Sequence, residues 1–153
     1  ADLEVNDLIL KRMQEKYRSI AWKYLSEENV KLNFRKESEI FSEWLWILDP
    51  LDGTKDFIQG TGDYAMHFAL NYENKPLIGV VLIPEKDELW ISNGKNVWCE
   101  RRDKSKQSQN LSAEKDISEM TLVTSRNHNN QALKNLVDKI NFKKTGLSAG
   151  RNY

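Results

Sequence analysis

Cysteine is almost absent from this chain: Cys99 stands alone among 153 residues. No internal disulfide can form, and the composition suits a reducing, cytoplasmic setting. Net charge is absent too, since 23 basic residues offset 23 acidic ones. That removes any bulk attraction to nucleic acid or to a membrane surface, and neither is expected as a partner. No apolar run approaches the roughly 18 residues that a membrane-spanning helix needs, and no signal peptide is visible. Repeats and low-complexity segments are missing. So is an initiator methionine: the chain opens on Ala1-Asp2, which predicts a processed, trimmed or fragmentary product. What remains is one domain's length of chain, enough to bury a core. Cys99 reads as a plain strand cysteine despite the nearby Arg101 and Arg102, because a reactive thiol needs a deliberately electropositive setting.

Apolar periodicity organises the chain. Val5, Leu8, Ile9, Met13 and Tyr17 form a helical stripe over residues 3–17, with Asp2 as its N-cap. Residues 30–43 are polar and predict a loop or a partly helical excursion. Trp44 to Leu48 is a strand by its aromatic and branched content. Residues 64–72 alternate strictly, with Met66, Phe68, Leu70 and Tyr72 on one side. Turn signals at 73–76, at Pro84–Asp87 and at Asn93-Gly94 then link Leu77–Ile83, Glu88–Ser92 and Val97–Arg101 into an antiparallel meander. Residues 102–116 read as a polar, lysine-rich loop. Met120–Thr124 is a further strand, and Ala132, Leu133, Leu136, Val137 and Ile140 mark a second helix. The fold class is α+β: an antiparallel meander sheet flanked by helices.

Chemistry concentrates in Asp49-Pro50-Leu51-Asp52-Gly53-Thr54, where the buried strand stops in two acids. Carboxylates at the edge of a core need a positive partner. Hard divalent cations take oxygen ligands, and Mg²⁺ is usually held by one or two carboxylates plus substrate phosphate oxygens. Pro50 fixes one backbone angle, so that Asp49, Asp52 and the Leu51 carbonyl can converge. Gly53 permits a tight turn that brings backbone N–H groups, with those of Thr54, against an anion. Glu27 could complete one cation site. Lys55 lies either near a substrate phosphate or on the surface. His67, inside an alternating strand, reads as a satisfied core histidine, and Trp44 and Trp46 as core.

The segment Trp46 to Phe57, with Asp49-Pro50-Leu51-Asp52-Gly53-Thr54 at its centre, resembles the first signature of the inositol monophosphatase-like, Mg²⁺-dependent phosphatases. Lys55-Asp56-Phe57-Ile58 is closer to the 3'(2'),5'-bisphosphate nucleotidase branch. Ala1-Asp2 resembles the end of the family's Thr-x-Ala-Asp opening. Leu25-Ser26-Glu27-Glu28 resembles its Ser-Glu-Glu segment, and Thr124 to His128 its Ser-Arg-Ser-His stretch. The resemblance implies a layered αβαβα phosphatase whose first αβ layer is residues 1–145, with residues 146–153 beginning a second. It implies Mg²⁺ as cofactor, about two or three ions in an intact enzyme, with Glu27, Asp49 and the Leu51 carbonyl on one and Asp49 and Asp52 on another. It pairs Asp2 with the Thr54 hydroxyl to orient and deprotonate water, and makes Glu27 part of that catalytic set. Asp52, Gly53, Thr54, Lys55, Ser125, Arg126 and His128 become substrate contacts. The implied reaction converts 3'-phosphoadenosine 5'-phosphate to AMP and phosphate. The partner is a small phosphorylated substrate, with a homodimer left open. Two alternatives stand beside it: an inositol monophosphatase-type activity, and a truncated, non-catalytic metal-binding half. The family's later Trp-Asp-x-x-Ala-Gly signature does not occur in the chain.

Overall fold

The computed structural model describes residues 1–33, 42–110, 116–125, 131, 135, 137, 139, 140 and 144–148. Helix α1 spans Asp2–Lys16, with Asp2 and Glu4 in its first turn and Lys16 in its last, the arrangement its dipole favours. Ala1 occupies the N-cap position, so Asp2 is the first helical residue and not the cap. The N-terminal amine pairs with Glu4 at 3.4 Å. Half-buried or buried positions along α1 are Asp2, Val5, Asn6, Ile9, Leu10, Met13 and Tyr17. The predicted stripe is therefore rotated slightly: Leu8 is 51% exposed, and Leu10 takes its place.

Strand β1 (Lys23–Ser26) runs straight into helix α2 (Glu27–Asn33) without a connecting loop. Then follow β2 (Trp44–Asp52), α3 (Thr54–Gln59), β3 (Ala65–Tyr72), β4 (Lys75–Ile83), β5 (Glu88–Ser92), β6 (Val97–Glu100) and β7 (Lys106–Gln109). These strands form one seven-stranded sheet in sequential order β1 to β7. From β2 onward every pairing is antiparallel, as the meander predicts. Glu73 and Asn74, both with positive φ, make the two-residue hairpin turn between β3 and β4.

Two strands depart from the sequence reading. Edge strand β1 pairs parallel to β2, making the sheet mixed. Lys106–Gln109, inside the segment expected to be loop, is the opposite edge strand, exposed throughout and held by its pairing with β6. Strands β8 (Thr121–Ser125) and β9 (Lys144–Ser148) form a second, two-stranded parallel sheet. Parallel neighbours need a crossover, and Gln131, Asn135, Val137 and Lys139 between them are helical. Ala132, Leu133 and Leu136 of the predicted helix lie outside the described residues, as do 34–41 of the predicted excursion and 111–115 of the predicted loop.

Trp46, Leu48, Leu51, Ala65, Leu70, Ile83 and Cys99 are buried. Trp46 stacks on Phe68 with centroids 4.4 Å apart and meets Trp22 edge-on at 5.6 Å. Burial pushes the Cys99 thiol pKa up, which suits a packing role and not a nucleophile. Helix α1 packs on β2, and α2 touches both β1 and β2. No helix among the described residues is long and apolar enough to cross a membrane.

Candidate metal and phosphate site

Asp49 and Asp52 are three residues apart, and strict alternation along a strand would point them to opposite faces. The register shows how they avoid this. Asp49 pairs with His67 and Asp52 with Ala65, so β2 advances one residue more than β3 between the two acids. That extra residue is a β-bulge. It puts both acids on the half-exposed side while Pro50 and Leu51 are both buried. Proline lacks the N–H that a regular ladder position would require, which makes a bulge a natural place for it.

Hydrogen bonds then shape the turn. The Leu51 N–H donates to Asp49 Oδ1 at 3.1 Å, and the Thr54 hydroxyl donates to the Leu51 carbonyl at 3.1 Å. Gly53 has φ +85°, and a Cβ there would sit 2.7 Å from the Asp63 carbonyl oxygen. Only glycine meets both conditions without strain. Asp56, from the segment carrying the nucleotidase resemblance, accepts from the Thr61 hydroxyl at 2.8 Å and closes the loop after α3.

Glu27 reaches the same place from a different element. Ser26 pairs with Leu48 in the parallel β1–β2 register, so the next position on each chain sets Glu27 beside Asp49. Their side chains hydrogen-bond. Asp49 is consequently pushed up from 3.8 to about 6: burial is the largest cause, followed by the hydrogen bond and negative charge of Glu27, with the Asp52 charge adding to them. The Leu51 N–H opposes the shift. Two carboxyl groups in such contact require a shared proton or a cation between them.

Asp52 faces another neighbour. Its Oδ2 lies 3.5 Å from His67 Nε2, with each side chain about one-third exposed. That separation is too long for a good hydrogen bond, and the buried Nε2 atom has no hydrogen-bond partner. His67 is thus at the rim of the acidic turn and is not the satisfied core histidine expected. Among the described residues no three His, Cys, Asp or Glu side chains gather closely enough to form a complete metal cage. The two side chains that do meet, Glu27 and Asp49, offer only oxygens. Such a set fits a hard divalent cation, with Asp52 alongside.

The remaining predicted residues are distributed as follows. Asp2 is half-buried in the first turn of α1, and Thr54 and Lys55 are exposed in the first turn of α3. No hydrogen bond joins Asp2 to Thr54 among the described residues; the Thr54 hydroxyl is engaged by Leu51. Ser125 ends β8 opposite Ser148. Arg126 and His128 lie outside the described residues. A groove of about 320 Å³ lies elsewhere, lined by Leu82, Pro84, Asp87, Leu89, Glu100, Arg101 and Arg102. Its arginines are already paired, Arg101 with Glu88 and Arg102 with Asp87, each at 2.9 Å.

Sequence reasoning missed two residues next to the site, Asn6 and Ser26, which are buried and hydrogen-bonded to each other. Asn6 lies three and four residues before Ile9 and Leu10 on the buried face of α1, and a polar residue inside an apolar stripe was the signal available.

Comparison with known proteins follows the same lines. The model of the inositol monophosphatase family matches residues 1–151. The 3'(2'),5'-bisphosphate nucleotidase CysQ of Buchnera aphidicola subsp. Acyrthosiphon pisum is 37% identical over 116 residues, covering 72% of this chain and 42% of that protein. The chain therefore spans about two fifths of the length of that curated relative. Among solved structures, SaIMPase-II with 2'AMP bound superposes with a TM-score of 0.70 at 19% identity, over 97% of this chain and 54% of the other. CysQ from Bacteroides thetaiotaomicron gives a TM-score of 0.61 at 24% identity, over 90% and 56% respectively.

Proposed function

This chain belongs to the inositol monophosphatase family, and from that premise we propose that it supplies the metal-binding layer of a Mg²⁺-dependent phosphomonoesterase. The observation that carries the reading is the contact between Glu27 and Asp49, which adds to burial in pushing Asp49 up to about 6. Side-by-side carboxylates, here a half-buried Asp49 against an exposed Glu27, are destabilised as anions unless a cation joins them. Glu27, Asp49, Asp52 and the Leu51 carbonyl would hold Mg²⁺. When bound, the metal neutralises the phosphate oxygens and lowers the pKa of water.

The chain's own residues supply orientation. Gly53 and Thr54 present backbone N–H groups at the start of α3, where an anionic phosphate is favoured. The Thr54 hydroxyl, which donates to the Leu51 carbonyl, is assigned to orienting the attacking water, with Asp2 as the carboxylate that would take up the proton. Lys55 stands exposed beside this turn and adds positive charge near the phosphate. Ser125, Arg126 and His128 are proposed as contacts to the rest of the substrate. The same reading divides the chain into a metal-binding αβ unit at 1–145 and the opening of a second at 146–153, a division that falls within β9.

The substrate proposed is 3'-phosphoadenosine 5'-phosphate, yielding AMP and phosphate, because the CysQ relatives are named as bisphosphate nucleotidases. The inositol phosphate alternative has its own support, since one structural neighbour was solved with inositol monophosphate bound. Phosphate release from the two esters by full-length enzyme, measured with Mg²⁺ and with EDTA, separates these; the 153-residue chain alone, matching 42% of its CysQ relative, is expected to show weak or no release. From the full-length enzyme, Mg²⁺-dependent release favouring the nucleotide is expected. A preference for inositol monophosphate would overturn the nucleotide assignment alone, and no metal-dependent release from either would overturn the phosphatase reading.

A further inference from the structure

Ser26 is fully buried and Asn6 is 2% exposed, yet both are polar. The Ser26 hydroxyl donates to Asn6 Oδ1, and Asn6 Nδ2 donates to Asp7 Oδ1 at 3.0 Å. Ser26 is the register partner of Leu48, which is 2% exposed, and α1 packs on β2.

Strand β1 explains what the link does. It has four residues, sits at the edge of the sheet, and of its side chains only Ser26 is fully buried. Apolar packing therefore specifies its register weakly. A slip of one residue would reverse the faces of the whole strand and carry the Glu27 carboxylate away from Asp49. The same slip would strand a buried hydroxyl and a buried amide, at about 1–3 kcal/mol each. Asn6 also lies one helical turn from Asp2, so the bond ties the helix carrying Asp2 to the strand end carrying Glu27.

We propose that Asn6 and Ser26 are positioning residues that lock the register of β1 and thereby hold Glu27 against Asp49. The proposal rests on the reading of Glu27 as a metal ligand, and its test separates the two. Ser26→Ala, Asn6→Leu and the double variant are compared with the parent chain in three measurements: urea denaturation, Mn²⁺ binding by calorimetry, and metal-free NMR contacts between Leu25–Ser26 and Ile47–Leu48. Each single variant leaves one buried polar group without its partner and loses stability. The double variant removes both groups and recovers stability, so it carries the test should a single variant fail to fold.

A purely structural role predicts that Mn²⁺ affinity recovers with stability. Positioning predicts that the double variant stays folded, loses the cross-strand contacts and binds Mn²⁺ about 10-fold or more weakly, the scale of losing a group that orients a ligand. A stable double variant with the contacts intact and parental affinity overturns the proposal. If the parent chain itself binds no Mn²⁺, the metal reading fails. The metal-free contacts then decide alone: their loss in the double variant supports the lock, and their retention overturns it.

Discussion

Replacing Glu27 by glutamine should stabilise the metal-free protein while abolishing its response to magnesium. Asp49 is raised from 3.8 to about 6. A carboxyl whose folded pKa lies above its unfolded one favours the fold only while protonated. Its contribution is fully present below pH 3.8 and is lost as pH rises through about 6. At 1.36 kcal/mol per pKa unit the full displacement corresponds to about 3 kcal/mol; solvent screening of a half-exposed group reduces this to about 1–2 kcal/mol. Burial, the largest cause, survives the substitution. The charge of Glu27 does not, and a glutamine amide can donate to the Asp49 carboxylate. Glu27→Gln should therefore gain about 1 kcal/mol in EDTA near pH 7.5, a rise of roughly 2–4 °C in Tm for a chain of this size. The gain should vanish near pH 4, where Asp49 is protonated in either protein. Magnesium at about 100 times its Kd should stabilise the parent by about 2.7 kcal/mol and the variant by far less. Thermal scans between about pH 4 and pH 8, in EDTA and in MgCl₂, measure all of this. A variant that is less stable than its parent in EDTA near pH 7.5, or that keeps the full magnesium response, refutes the reasoning.

Gly53→Ala should lower the urea midpoint by the equivalent of about 2–3 kcal/mol, because φ is +85° and the added carbon meets the Asp63 carbonyl at 2.7 Å; an unchanged midpoint would count against the turn geometry. In the intact enzyme, Asp2→Asn and Thr54→Ala should each reduce kcat by about 100-fold with KM little altered, and steady-state kinetics showing a raised KM at full kcat would remove them from the water-orienting role. Leu48→Ala should cost about 3 kcal/mol in equilibrium unfolding, since Leu48 is 2% exposed at the base of the site; a loss below about 1 kcal/mol would show that the site collapses around the gap.

Much of the architecture was legible from local chemistry. Period-two alternation over 64–72, the Glu73-Asn74 turn and the apolar run ending at Leu48 all act over a few residues, and all three appear in the fold. The Asp49–Thr54 string was equally readable, because a proline, a glycine and two acids have strong local preferences. Leu8 was misplaced because an apolar residue near the edge of a helical stripe has no local signal for which side it takes; packing on β2 left it 51% exposed.

Other features depended on partners far along the chain. Lys106–Gln109 carries no apolar alternation, and backbone pairing with β6 makes it a strand. The Asp-x-x-Asp spacing is read by the chain alone as two acids on opposite faces or on one; the bulge opposite His67 selects one face. Glu27 is 22 positions before Asp49, and it reaches that acid through the parallel β1–β2 register, anchored beside the buried Asn6–Ser26 bond. Residue identity sets which oxygens are available to a metal. Which of them face one another follows from register, a pairing between distant backbones that no short stretch of sequence encodes.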